Sequence, residues 1–122
     1  MKKDTYISKE EQEKCRKVAE AFKELYERED IIVLDAGKYG YVKLQYYKEP
    51  YGFDDVFTYT DSRDLFDDLW NEWFNGRLLE YASDTPMMEF DYPDIFKCLP
   101  KDEQKELMNR KIAFAEEAEI IL

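Results

Sequence analysis

Between residues 9 and 118 the apolar side chains change their spacing twice, from a helical period to alternation and back, and no other feature restricts the fold as tightly. Cys15, Val18, Ala19, Phe22, Leu25 and Tyr26 recur at helical spacing behind Ser8, which stands three residues before Glu11 in the manner of a capping box. This predicts an amphipathic helix over residues 9–28. Its outer face offers Glu10 with Lys14, Glu13 with Lys17, Glu20 with Lys23 and Glu24 with Arg28, pairs worth roughly a few tenths of a kcal/mol each. From Ile31 the period drops to two. Residues 31–36 are rich in β-branched side chains, and Gly37-Lys38-Tyr39-Gly40 supplies turn chemistry. Val42, Leu44 and Tyr46 then alternate with Tyr41, Lys43, Gln45 and Tyr47. Glu49-Pro50-Tyr51-Gly52 ends this run, and residues 56–60 read as a third strand antiparallel to the second.

Helical spacing returns after Thr60 and Asp61, which can cap a helix carrying Leu65, Phe66, Leu69, Trp70, Trp73, Phe74, Leu78 and Tyr81 on a broad apolar stripe. Asn75-Gly76 leaves the end of that helix open. A loop follows over residues 83–92. Pro93 opens a short helix with Ile95, Phe96 and Leu99, and Pro100 opens a last one through Leu107, Met108, Ile112, Ala115 and Ala118. Three strands cannot enclose a core by themselves. The expected architecture is therefore α+β: an N-terminal helix, a three-stranded antiparallel sheet, then two to three helices packed on one face, as a single domain over residues 1–122. Phe22, Leu25, Val33, Leu44, Leu65, Leu69, Trp73 and Ile112 are expected in its core.

Several function classes are excluded by what is missing. The chain contains no histidine and two cysteines, Cys15 and Cys98, which removes Ser-His-Asp and Cys-His catalysis, a structural zinc site and a disulfide scaffold. Both cysteines read as small buried apolar residues on helix faces. The paired acids Asp54-Asp55 and Asp67-Asp68 fit no calcium-loop pattern, and a carboxylate-only hydrolase is a poor match to so small a domain. The expectation is a protein that is not an enzyme and holds no metal or cofactor. No run approaches the apolar length of a membrane span, and the first residues lack the apolar stretch of a signal peptide, so a cytoplasmic location is expected.

Charge supplies the functional lead. The net charge is −11, yet residues 1–53 carry 11 basic and 11 acidic side chains, so the whole excess lies after Phe53. Between Asp54 and Asp94 stand twelve acids against only Arg63 and Arg77. Such a segment repels nucleic acid and anionic membranes and points to a basic protein partner. Asp61, Asp64, Asp67, Asp68 and Glu72 fall on the polar side of the second predicted helix, where a rise of about 1.5 Å per residue places about one charge every 3 to 4 Å, close to the phosphate spacing along a DNA strand. A solvated helix face and the helix macrodipole account for the same acids. Six of the ten tyrosines lie between Tyr39 and Tyr59, and those on the open face or the turn are candidate interface anchors, although Tyr also suits a strand for its own sake. The candidate partner-binding residues are Asp54, Asp55, Asp61, Asp64, Asp67, Asp68, Glu72, Tyr39, Tyr47 and Tyr51.

The order helix, three strands, helices in a short, acidic, histidine-free chain resembles the small anti-CRISPR inhibitors of phages and mobile elements of low-GC Gram-positive bacteria. The likeness is most visible from Thr60-Asp61-Ser62-Arg63-Asp64-Leu65-Phe66 through Asp67-Asp68-Leu69-Trp70-Asn71-Glu72-Trp73 to Phe74-Asn75-Gly76. It implies a nonenzymatic DNA mimic whose acidic side chains occupy the basic nucleic-acid groove of a nuclease, such as a CRISPR effector, or of another DNA-binding protein. The balanced first half departs from inhibitors that are acidic throughout. An immunity protein against a basic toxin nuclease, and an accessory interaction module whose acidity serves solubility, stay open beside it.

Overall fold

A computed structural model of the chain describes residues 7–28, 31–47 and 52–122, with backbone alone for 26–28, 45–47 and 52–55. Helix α1 (Lys9–Ala21) begins at Ser8, whose hydroxyl accepts the Glu11 amide at 3.1 Å. The expected single helix is interrupted at Phe22, and α2 (Lys23–Arg28) continues it after that break. Strands β1 (Ile31–Asp35), β2 (Tyr41–Tyr47) and β3 (Gly52–Tyr59) form an antiparallel sheet in the order β1-β2-β3, which is the meander read from the sequence. β3 starts four residues earlier than its apolar content indicated, because β2 offers hydrogen-bonding partners along its whole length, past an irregularity at Gln45/Tyr46.

The β1–β2 connection is a one-turn 3₁₀ segment, Gly37–Tyr39. Asp35 accepts the Gly37 amide at 2.7 Å and the Gln12 side-chain amide at 2.9 Å, which ties α1 to the turn. Gly40 closes it at φ 102°, a conformation side chains rarely adopt, and a Cβ there would press on the Tyr59 carbonyl oxygen of β3.

Helix α3 (Ser62–Ala82) runs through Gly76 without stopping. Its N-cap is Asp61, which accepts the Arg63 and Asp64 amides at 2.9 and 3.1 Å. A short 3₁₀ segment (Pro86–Glu89), α4 (Tyr92–Cys98) and α5 (Lys101–Ala118) complete the chain. Pro93 sits in the first turn of α4 and Pro100 caps α5, so both prolines stand where a missing amide costs nothing.

The core belongs to the helices. Cys15, Val18, Phe22 and Leu25 meet Leu65, Phe66, Leu69, Trp70 and Trp73 of α3 and Leu107, Phe114, Ala115 and Ala118 of α5. Phe22 stacks on Phe114 at 4.3 Å between ring centroids, and Trp73 meets Phe114 edge-on at 5.3 Å. From the sheet, Ile31 and Tyr41 are the described residues that join the buried apolar set. Val33 is partly buried and packs against this core. Two core expectations are corrected: Leu44 is partly buried on the other face of the sheet, and Ile112 is 49% exposed because α5 turns Leu107, Phe114, Ala115 and Ala118 inward instead.

Strand β2 packs with the phase opposite to the one its apolar residues indicate, while Ile31 and Val33 of β1 face the helices. Tyr41 and Lys43 lie on the helix side, in register with Asp35 and Val33 of β1 and with Tyr59 and Phe57 of β3. Ile32, Leu34, Val42, Leu44, Val56 and Thr58 therefore share the far face, where Leu34, Val56 and Thr58 are exposed and Ile32, Val42 and Leu44 half-buried. No described helix is long and apolar enough to cross a membrane.

Candidate acidic interface

Lys43 explains the phase. It is 2% exposed, and its ammonium lies 2.8 Å from Asp68 and 2.7 Å from Glu72, with the Phe57 ring 4.9 Å away. The Tyr59 hydroxyl donates a further short hydrogen bond to Asp68. Burial lowers the Lys43 pKa, but the hydrogen bonds and charges of Asp68 and Glu72 outweigh it, and the net shift is upward. A cation taken out of water requires such partners, and two carboxylates from successive turns of α3 supply them. Asp68 and Glu72 thus point under the sheet and not outward as their helical spacing alone implied.

Two more acids of this helix are also in use. Asp61 caps it, and Asp67 accepts the Arg63 guanidinium at 3.0 Å. Asp64 is exposed and, among the described residues, has no ion-pair partner. The even row of five outward charges is therefore not present. Three of the five are engaged within the fold by Lys43 and Arg63, and a fourth by backbone amides.

The tyrosines disperse as well. Tyr39 is exposed on the 3₁₀ turn beneath the Lys38 ammonium, at 5.4 Å from ring centroid to nitrogen. Tyr41 is buried, and its hydroxyl pKa is raised by desolvation. The side chains of Tyr47, Asp54 and Asp55, and all of Tyr51, lie outside the described residues. Of the cysteines, Cys15 is buried, which pushes its thiol up to about 12 and keeps it neutral. Cys98 is exposed at the end of α4, contrary to the expectation of a buried position, because Ile95 and Leu99 take the inward side of that short helix.

A different stretch carries acid without a cation of its own. From Leu78 to Phe96 there is no Lys or Arg, while Glu80, Asp84, Glu89, Asp91 and Asp94 are all exposed. Of these, Glu80 pairs with Arg77 at 2.5 Å. Large apolar side chains stand among them: Met88 is 54% exposed, Phe90 44% and Tyr92 38%. Leu79 and Tyr81 near the end of α3 are exposed too, but Met88, Phe90 and Tyr92 fall within five consecutive residues. The alternation Met88-Glu89-Phe90-Asp91-Tyr92 is the signal that marks them.

Clefts lie away from this stretch. One of about 350 Å³ between α1, α2 and α5 is lined by Lys23, Glu24, Arg110, Phe114 and Glu117, with Arg110 and Glu24 bonded across it at 2.8 Å. Among the described residues no three Cys, Asp or Glu side chains assemble into a metal-holding group. Comparison with protein-family models, curated proteins and solved structures finds no match to this chain.

Proposed function

We propose that this protein is a nonenzymatic acidic inhibitor that binds a basic protein surface, in the first place the nucleic-acid groove of a nuclease or DNA-binding protein. The observation that supports it is the exposed, cation-free stretch from Leu78 to Phe96. Several carboxylates elsewhere are answered locally, as with Lys14 at 3.4 Å from Glu11, Lys17 at 2.9 Å from Glu119 and Lys43 beneath the sheet. Where no cation answers, the field persists beyond the molecular surface and steers a positively charged partner toward it. The acidic contact is then the 78–96 stretch together with Asp64, and the Asp68–Glu72 pair serves stability.

The test is a competition assay. The full chain and labelled duplex DNA are titrated against a DNA-binding nuclease of the native host, over a series of salt concentrations. Displacement of DNA that weakens steeply with salt supports the reading, since at physiological ionic strength exposed charges are screened over about 8 Å. Displacement insensitive to salt, or direct binding of the DNA by this protein, overturns it.

A further inference from the structure

Within the reading above, and resting on it, the structure points to where the partner's apolar contacts go. Met88, Phe90 and Tyr92 are three large apolar side chains exposed within five consecutive residues, and Glu89 and Asp91 stand between them. None of the three takes part in the ring stacking that organises the helical core. Monomeric surfaces scatter such residues singly, and a concentrated group on a charged background marks a contact surface. An acidic rim around apolar anchors is also how protein interfaces are commonly composed, with the anchors providing residence time and the rim providing encounter.

The tract is held in place before any partner arrives. At its start the Thr85 hydroxyl accepts the Met87 amide at 3.1 Å and donates to the Ala82 carbonyl at 2.7 Å, which joins the 3₁₀ segment to the end of α3. Pro86 and Pro93 fix φ at both ends, and Met87 and Ile95 pack into the core on either side. Phe90 and Asp91 between them are extended, at ψ 153° and 157°. A backbone so fastened loses little conformational entropy on binding.

We propose that Met88, Phe90 and Tyr92 form the docking surface for a segment of a basic protein in which Lys or Arg alternates with large apolar side chains. Charge complementarity selects that occupant. A second copy would bring Glu89, Asp91 and Asp94 against the same acids, and nucleic acid and anionic lipid carry the sign that these acids repel. A purely cationic surface would leave the three apolar side chains in water.

The experiment uses two synthetic peptides with the same number of lysines, one with leucines between them and one with glutamines in their place. Backbone amide shifts of the full-length protein are followed during titration, and affinities are read by fluorescence anisotropy. The expected result is that the leucine peptide binds at least about tenfold tighter than the glutamine peptide and moves the amides of residues 88–94. Combined Met88→Ala, Phe90→Ala and Tyr92→Ala substitution removes that difference and leaves the weaker, charge-driven binding of the glutamine peptide within about twofold. These side chains are exposed, and an unchanged circular dichroism melt checks the fold. If the leucine peptide binds but shifts appear elsewhere, or the triple variant binds it equally well, the docking surface is wrong while the acidic-binder reading stands. A dimer that the triple variant abolishes assigns the tract to a second copy and overturns the proposal. Failure of both peptides to bind overturns both readings.

Discussion

The acids at the start of α3 and the acids of the 80–94 stretch look alike in the sequence and are employed in opposite ways. In the first group, Asp61 closes a helix end, Asp67 holds Arg63, and Asp68 and Glu72 hold a lysine that is almost wholly buried. In the second, Asp84, Glu89, Asp91 and Asp94 are exposed and no cation of the same stretch stands among them. A carboxylate already satisfied by a buried ammonium contributes little to the outside field, and moving it away uncovers an unpaired charge. Counting acids along a chain therefore measures formal charge. What a partner encounters depends on which of them the fold has already answered.

The sharpest way to break this comparison is to neutralise each group in turn. Asp61→Asn, Asp64→Asn, Asp68→Asn and Glu72→Gln together strand the Lys43 charge, and unfolding stability in urea is expected to fall by about 3 to 5 kcal/mol. Asp84→Asn, Glu89→Gln, Asp91→Asn and Asp94→Asn together should change it by less than about 1 kcal/mol, since Asn tolerates the left-handed backbone of Asp84 at φ 63° and the Asp91 side chain makes no capping hydrogen bond to lose. Equal losses in the two variants would erase the distinction drawn above.

A second expectation concerns Glu11, which the capping-box pattern assigns to its own helix. Its carboxylate instead accepts the Ser62 amide at 2.8 Å, so that α1 helps to cap α3. Glu11→Ala should cost about 1 kcal/mol, the usual worth of a cap, measured by thermal or urea unfolding. The Ser62 backbone hydrogen bond, against a smaller opposing effect of desolvation, holds the Glu11 carboxyl below its ordinary 4.5. Its contribution is therefore present above pH 4.5 and is lost as the pH falls through the lowered value.

At the alkaline end the signs reverse. The Cys15 thiol, ordinarily at 9.0, is pushed up to about 12 by burial, and Lys43 is held above its ordinary 10.5. Both shifts are upward, so the stability they carry is complete below about pH 9 and declines as the pH rises through the folded-state values. Urea unfolding across that range checks it, and Cys15→Ala should remove the earlier part of the decline. The smallest effect is expected at Phe90: Phe90→Ala should leave stability within about 0.5 kcal/mol while weakening the leucine-peptide complex, mainly through faster dissociation.

Four helix starts were legible because their signals are local, while the break at Phe22 and the end of α3 were not. Ser8 and Asp61, Pro93 and Pro100 each mark a terminus by the chemistry of one or two residues, and all four helix starts lie within a residue or so of those marks. The sheet was legible as three antiparallel strands but not in its facing. Val42 and Leu44 alternate with Tyr41 and Lys43, and transfer energies alone turn the valine and leucine inward. What reverses this is a pair of carboxylates 25 and 29 positions further along the chain, a distance over which periodicity carries no information. The same limit applies to Asp68 and Glu72, whose helical spacing turns them outward because the cation that holds them lies on another element.

The inward lysine also bears on how the sheet finds its pairing. Strand β2 can present either of two alternating faces to the helices, and sliding by one residue exchanges them. In the shifted arrangement Val42 and Leu44 would gain burial, which makes it a serious competitor during folding and not a remote one. It is also an arrangement in which Asp68 and Glu72 face aliphatic side chains with no cation between them, a penalty larger than the burial gained by two aliphatic residues. Lys43 is thus the key that fits only one register, and Gly40, whose φ of 102° brings the turn against β3, seats the strand at the position where the key turns. Stability spent on burying a charge returns as uniqueness of the fold.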